Sequence, residues 1–394
     1  MVDYLLATTP QGLTGQLRRA HDYLFDYHRS AGAAAELSLG MPRRPEQYRS
    51  SSLFPIFQMN LPEGFVLEQL RARFAKSARL DAMLLLAMTG GSAGIGRVTL
   101  QPPGFMEAAV KPTSLSDLLA HEGTSDLFRQ LTDDYLMRTG ISGIQPKLLV
   151  PEQLDALHYQ GMISTPELIV KASGTGYPGL PVNEFVCMSI AREAGIPVAE
   201  FHLSEDHRRF VMRRFDRTAE GFAMGFEDMA VLMGEDSDAK YDSSYENIAV
   251  VLNAYCAPRY RNQALGQLFD MVALSCMVGN GDAHLKNFGV LYTDPQSDDV
   301  RLAPAYDIVC TTCYLPDDGL ALSLNRNRNL FTARLDLIDF GKRHCRIDDP
   351  LSRLATLLTA MEAILYVQDD LINEVPRLKT ELTRRMHMIG ELTG

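Results

Sequence analysis

Apolar positions recur at two different spacings along this chain, and the exchange of one spacing for the other outlines its organisation. The first quarter reads as a mixed unit of short strands and helices: residues 1–8 and Tyr23-Leu24-Phe25-Asp26-Tyr27 predict strands, with a turn at Gln11-Gly12. Asn60-Leu61-Pro62-Glu63-Gly64 opens a predicted helix through Leu67, Leu70, Arg71 and Phe74, in three- and four-residue steps. A second helix is predicted over Asp81–Met88, stopped at Gly90-Gly91, with a strand around Val98-Thr99-Leu100. Pro102-Pro103-Gly104 and the polar run from Ser114 to Ser125 mark a boundary. Nothing before that boundary has catalytic spacing, so packing or partner contact is its expected work.

Beyond it, Pro166–Lys171 reads as a strand, followed by a helix starting at Glu184, capped by Asn183 and stopped by Gly195. Val198–Leu203 and Phe210-Val211-Met212 read as a hairpin. From about residue 245 the pattern is mainly helical, with helices over Tyr245–Tyr255 and Gln263–Val278. Phe288–Tyr292 is a strand, Thr293–Asp299 a polar turn, and Arg301-Leu302-Ala303 the return. The tail from Pro350 is helical, striped by Leu354, Leu357, Leu358 and Met361, with a last helix or pair over Leu371–Met388.

Composition changes this picture little. With 46% hydrophobic and 22% charged residues the chain is an ordinary globular one, and its 394 residues suffice for two or three packed units. The net charge of −11 argues against broad unaided binding to nucleic acid. One dense basic run, Arg208, Arg209, Arg213, Arg214 and Arg217, reads as solvated hairpin and surface charge. The first residues carry Asp3 where a secretory leader needs a base, and no run approaches the roughly 20 apolar residues of a membrane span. A cytoplasmic protein without membrane contact is expected. Six cysteines lie mostly in apolar segments; Cys310-Thr311-Thr312-Cys313 has metal-like spacing but no second pair, which favours core packing.

Candidate chemistry concentrates in Gly279-Asn280-Gly281-Asp282-Ala283-His284-Leu285-Lys286-Asn287. Asp282 and Asn287 have the D-x-x-x-x-N spacing of a kinase catalytic loop, and Asp307 follows twenty residues after Asn287, across a strand–turn–strand. Phosphoryl transfer needs one carboxylate to take the proton of an attacking hydroxyl, and an amide and a second carboxylate to hold magnesium. Lys286 can balance phosphate charge, and His284 can support the loop by a hydrogen bond or contact phosphate.

Upstream, Lys171 ends a strand and Glu184 begins the next helix, the order of the kinase pair that holds the α- and β-phosphates; a snorkelling lysine and a helix-surface glutamate are the alternatives. Ser142-Gly143-Ile144-Gln145-Pro146-Lys147 can bring backbone N–H groups to phosphate or form a simple turn, and Phe215 can meet an adenine or fill a core. Metal hydrolysis through Asp282, His284 and Asp307 is a rival use, weakened by the lack of a second histidine cluster, and no G-x-x-x-x-G-K-[ST] occurs.

Over nearly its full length the chain resembles the HipA family, serine/threonine-kinase toxins of bacterial toxin–antitoxin modules. The resemblance rests on residues 142–147, Asn183-Glu184, Arg214-Phe215-Asp216-Arg217, Glu227-Asp228-Met229, Lys240-Tyr241, the Gly279–Asn287 loop and Leu302-Ala303-Pro304-Ala305-Tyr306-Asp307. It implies an α+β, bilobal, protein-kinase-like fold. Residues 1–105 would be an N-terminal subdomain, 106–244 the kinase N-lobe and 245–394 a helical C-lobe.

The resemblance further implies ATP and Mg2+ as cofactors. It makes Asp282 the catalytic base, Asn287 and Asp307 the magnesium ligands, Lys171 the ATP lysine, the loop around Ser142, Gly143, Gln145 and Lys147 a phosphate contact, and Phe215 the adenine neighbour. It implies autophosphorylation on that loop, where Gly140 stands at the position that carries the modified serine in one version of the family, leaving Ser142 as the candidate phosphosite. Implied partners are a HipB-like helix-turn-helix antitoxin, through which DNA would be reached, and an aminoacyl-tRNA synthetase as protein substrate. A catalytically weak corepressor and a small-molecule phosphotransferase are the alternative functions.

Overall fold

The computed structural model of the chain describes residues 2–62, 64–74, 80–91, 94–104, 114–120, 127, 161–164, 167–172, 176–330 and 332–393. The candidate phosphate loop with Ser142, Gly143, Gln145 and Lys147 lies outside them. Two compact units emerge, both discontinuous in sequence. Unit 1 comprises residues 1–176, 204–227 and 293–297; unit 2 comprises 177–203, 228–292 and 298–394.

Unit 1 opens with an antiparallel meander, β1 (Tyr4–Thr9), β2 (Gly12–Arg19), β3 (Tyr23–Tyr27) and β4 (Tyr48–Ser50), closed on the far side by β5 (Thr99–Gln101) in the order β4-β3-β2-β1-β5. Strict alternation along β1 turns Leu5 and Ala7 inward, and pairing of Leu5 with Leu17 and of Leu17 with Phe25 carries one apolar row across the sheet. The helices α1 (Pro55–Gln58), α2 (Gly64–Phe74), α3 (Ala82–Thr89) and α4 (Leu115–Ala120) follow. The Asp81 carboxylate accepts from the Leu84 amide and caps α3, and Gly90 ends it.

A second antiparallel group, β6 (Gly161–Ser164), β7 (Leu168–Ala172) and β8 (Arg209–Arg213), pairs Val170 with Val211 and Lys171 with Phe210. Its core combines Leu70, Phe74, Leu84 and Met88 from the helices with Leu168, Val170, Ala172 and Val211 from the strands. Sequence pattern and structure agree here because both faces of the helical stripe and of β7 need the same burial.

Unit 2 is mainly helical: α5 (Leu180–Glu193), α6 (Met229–Met233), α7 (Tyr245–Tyr255), α8 (Arg261–Val278), α9 (Ala333–Arg343), α10 (Pro350–Val367), α11 (Asp369–Asn373) and α12 (Leu378–Thr393). The strand β9 (Gly289–Tyr292), paired antiparallel with β10 (Arg301–Leu302), follows α8. Among the described residues one helix, α10, has the length and composition to cross a bilayer, but Arg353 and Glu362 interrupt its apolar run; its Leu354, Leu357, Leu358, Met361 and Ile364 are buried, and it packs on α5, α8 and α12.

Two further expectations are corrected. Asn183 does not cap α5: the helix starts one turn earlier, after Gly179 at φ +71°, because Pro181 is accommodated in a first turn where no N–H partner is needed. The basic run is not wholly surface charge. Arg208 and Arg213 are exposed, but Arg209 and Arg214 are buried, each beside an aspartate that compensates its charge.

Candidate active site

The site is built where α8 ends. Gly279 takes the left-handed conformation that closes the helix, and Asn280 N–H donates back to Ser275 O at 2.8 Å. A side chain at Gly279 would run into Arg385 and the Thr312 hydroxyl, and one at Gly281 into the Asp318 carboxylate. Both glycines are therefore demanded by close neighbours, and at Gly279 also by φ. Gly281 N–H donates to Thr311 Oγ1 at 2.8 Å, and the Asp282 amide to Asn280 Oδ1 at 3.0 Å, so the chain is fixed on both sides of the turn.

Asp282 projects from this turn with a side chain 52% exposed, as a group meeting an external hydroxyl must be. The Tyr241 hydroxyl donates to its Oδ1 at 2.8 Å. His284 is buried beside it, its ring edge-on to Tyr241 at 5.1 Å and its Nε2 3.9 Å from Asp282 Oδ1, beyond hydrogen-bond reach. Burial pushes the His284 pKa down, against the opposing pull of Asp282, which keeps the ring neutral near pH 7. Its Nδ1 is buried without a hydrogen-bond partner.

A single helical turn, Leu285–Asn287, then aligns Lys286 and Asn287. Tyr306, whose hydroxyl burial keeps protonated, donates to Lys286 O at 2.7 Å. The β9–β10 return places Asp307 opposite Asn287: Ala303 N–H donates to Gly289 O, and Ala305 N–H to Pro197 O at 2.7 Å. Asn287 Nδ2 then donates to Asp307 Oδ2 at 3.0 Å. Asn287 Oδ1 is buried with no partner, and Asp307 stands at φ 59°. An orphaned amide oxygen beside a carboxylate is a hard-oxygen donor pair, which fits a magnesium ion.

Downstream, Asn183 of α5 clamps the backbone of Cys310, accepting from its N–H at 2.8 Å and donating to its carbonyl at 3.0 Å. Cys310 and Cys313 are buried, and the turn between them supports the loop through the Thr311 hydroxyl, which accepts from Gly281 N–H. Glu184 is buried on α5.

The remaining predicted residues belong to unit 1. Lys171, half-buried on β7, holds its ammonium 6.0 Å from the Phe210 ring centre, and Phe215 is half-buried with its ring edge-on to Phe226 at 5.5 Å. Next to Phe215, buried Asp216 accepts from Arg214 Nε and Nη2, Arg217 Nη1 and Gly96 N–H at 2.6 to 2.9 Å. Glu227 is buried and accepts from Ser38 Oγ and Leu39 N–H. The structure thus brings together Asp282, His284, Lys286, Asn287 and Asp307 within unit 2. Tyr241 is a neighbour of Asp282 to which the sequence pattern assigns no role, since a contact across 41 residues leaves no local spacing to read.

The description "HipA N-terminal domain" matches residues 5–101, and "HipA-like C-terminal domain" matches residues 139–365. The chain belongs to the HipA family. Two relatives from Sinorhizobium fredii are named "Putative kinase Y4dM", 32% identical over 50% of this chain and 49% of its own length, and "Putative kinase Y4mE", 28% identical over 76% and 74%. A "Putative kinase" of Haemophilus influenzae is 32% identical over 44% of the chain and 53% of its own length. The chain spans about half the length of the first and third of these. Among solved structures it matches the Shewanella oneidensis MR-1 HipA, in complex with HipB and operator DNA, with TM-score 0.68 and 18% identity over 99% of both chains. The fold is therefore the HipA fold, an α+β, kinase-like fold preceded by an N-terminal sheet.

Proposed function

We propose that the chain is an ATP- and Mg2+-dependent serine/threonine protein kinase, the toxin of a toxin–antitoxin module. The observation that carries this reading is the pairing of Asn287 with Asp307, an unpartnered oxygen facing the needs of a cation, at the foot of a loop that exposes Asp282. Asp282 accepts the proton of the attacking hydroxyl, while neutral His284 fills the space behind it and adds no competing charge. Lys286, fixed through its carbonyl by Tyr306, supplies a cation to the transferring phosphate. Asn287 and Asp307 would hold magnesium, which when bound neutralises charge on the phosphate oxygens.

In the same reading Lys171, Glu184 and the loop of Ser142, Gly143, Gln145 and Lys147 serve the nucleotide's phosphates, Phe215 its adenine, and Ser142 is the autophosphorylated serine. The protein works in the cytoplasm with a HipB-like helix-turn-helix antitoxin, reaches DNA mainly through it, and phosphorylates an aminoacyl-tRNA synthetase. Family membership and the HipA–HipB–DNA assembly of the Shewanella relative support this assignment. The test is phosphate incorporation from labelled ATP into the protein and candidate synthetases. Wild type should exceed Asp282→Gln by about 100-fold or more; equal incorporation under magnesium would sink the kinase reading.

A further inference from the structure

Asp282 hangs from a turn whose backbone is fixed, but its carboxylate is half-exposed and its own torsions remain to be set. Among the described residues, one hydrogen bond reaches that carboxylate, from the Tyr241 hydroxyl to Oδ1 at 2.8 Å. Tyr241 is itself held on several sides. The Leu285 amide donates to Lys240 O at 3.1 Å, which ties this segment to the loop, and Arg328 Nη2 donates to Tyr241 O at 2.6 Å. Its ring meets His284 edge-on, and the Lys240 ammonium lies 5.1 Å from the ring centre.

We propose that Tyr241 is a positioning residue for phosphoryl transfer, locking Asp282 through Oδ1 and leaving Oδ2 to receive the acceptor's proton. This rests on the reading of Asp282 as the base. In the step, the acceptor oxygen forms a bond to the γ-phosphorus, the bond from that phosphorus to its bridging oxygen breaks, ADP departs with the electron pair, and the hydroxyl proton passes to Asp282. A phenol suits this role for a chemical reason. It aligns a carboxylate with a neutral hydrogen bond, whereas a cation in its place would form an ion pair and compete with the incoming proton. Tyr241 is 37% exposed and the Asp282 side chain 52%, so the pair is open to solvent.

Tyr241→Phe removes the donor and keeps the ring against His284. The full chain would be assayed with labelled ATP and saturating Mg2+, reading its own phosphate incorporation and that of dephosphorylated casein. The expected result is a kcat lower by about 10- to 100-fold, KM for ATP within about twofold and an unchanged urea midpoint. Adding Tyr241→Phe to Asp282→Gln should cause no further loss, because the hydroxyl acts only through the carboxylate. Wild-type kcat in Tyr241→Phe would overturn the proposal while leaving the kinase reading intact. So would a further loss in the double variant, a fall in urea midpoint that accounts for the lost activity, or phosphate found on Tyr241 by mass spectrometry. No transfer by wild type to either acceptor would instead remove the kinase reading, and this proposal with it.

Discussion

A hydrogen atom at Gly281 is what allows the Asp318 carboxylate to lie against the loop, where it accepts from Thr311. Gly281→Ala should push Asp318 away and loosen the turn that carries Asp282, lowering stability by about 1–3 kcal/mol and phosphate transfer by a larger factor than the stability change explains; urea titration beside the labelled-ATP assay checks both. At the Asn287–Asp307 pair the prediction concerns metal alone. Millimolar Mg2+ or Mn2+, without nucleotide, should raise the thermal midpoint of wild type but not of Asp307→Asn, measured by calorimetry. These residues were legible in the sequence because Asp282 and Asn287 share one short loop and a short strand return brings Asp307 back to it. The contacts of Tyr241 and Asn183 were not, because their partners lie 41 and 127 residues away, and which side chain completes such a contact is decided by packing rather than by period.

Among the elements, the strand end at Arg213–Arg217 shows how charge misleads a linear reading. Five arginines in ten residues suggest solvent, yet Asp216 gathers Arg214, Arg217 and the Gly96 amide into a buried network. Burial alone would raise the Asp216 pKa, but the two guanidiniums outweigh it and hold the group below its usual 3.8. The folded form thus favours the ionised state. Its contribution to stability is complete above 3.8 and is lost as pH falls from there through the lower folded value. Asp216→Asn should cost about 3–5 kcal/mol at neutral pH by leaving two buried cations together, and should flatten the decline of the urea midpoint below pH 4.

The helix α9 was also missed. Ala333, Leu337, Phe340 and Gly341 are its buried positions, but Arg334, Asp336, Asp339, Lys342 and Arg343 crowd the intervening ones and blur the stripe. Most other helices were legible because their apolar faces are wide; β1 and β3 were legible from their alternation, while β2, with glycine at 12 and 15, was not.

For the molecule as a whole, contiguity in sequence and contiguity in space diverge. Unit 1 is completed by residues 204–227, which supply β8 as the neighbour of β7, so a chain cut after residue 176 lacks the strand that buries Val170 and pairs its backbone. A fragment of residues 1–176 should therefore show little hydrogen-exchange protection on β7, while the same amides in the full chain exchange slowly; comparable protection in both would refute this dependence. Such long-range completion is invisible to local periodicity, whereas the helical character of the second half was plain from its spacing.

The left-handed backbone at Asp307 acts as a filter on genetic change. Aspartate, asparagine and glycine tolerate φ near 60°, while most other residues pay about 1 kcal/mol or more to adopt it. Inactivating alleles at this codon that leave an abundant, folded protein should thus be enriched in asparagine and glycine. Those two replacements are the natural reagents for separating what the folded chain does by binding from what it does by transferring phosphate.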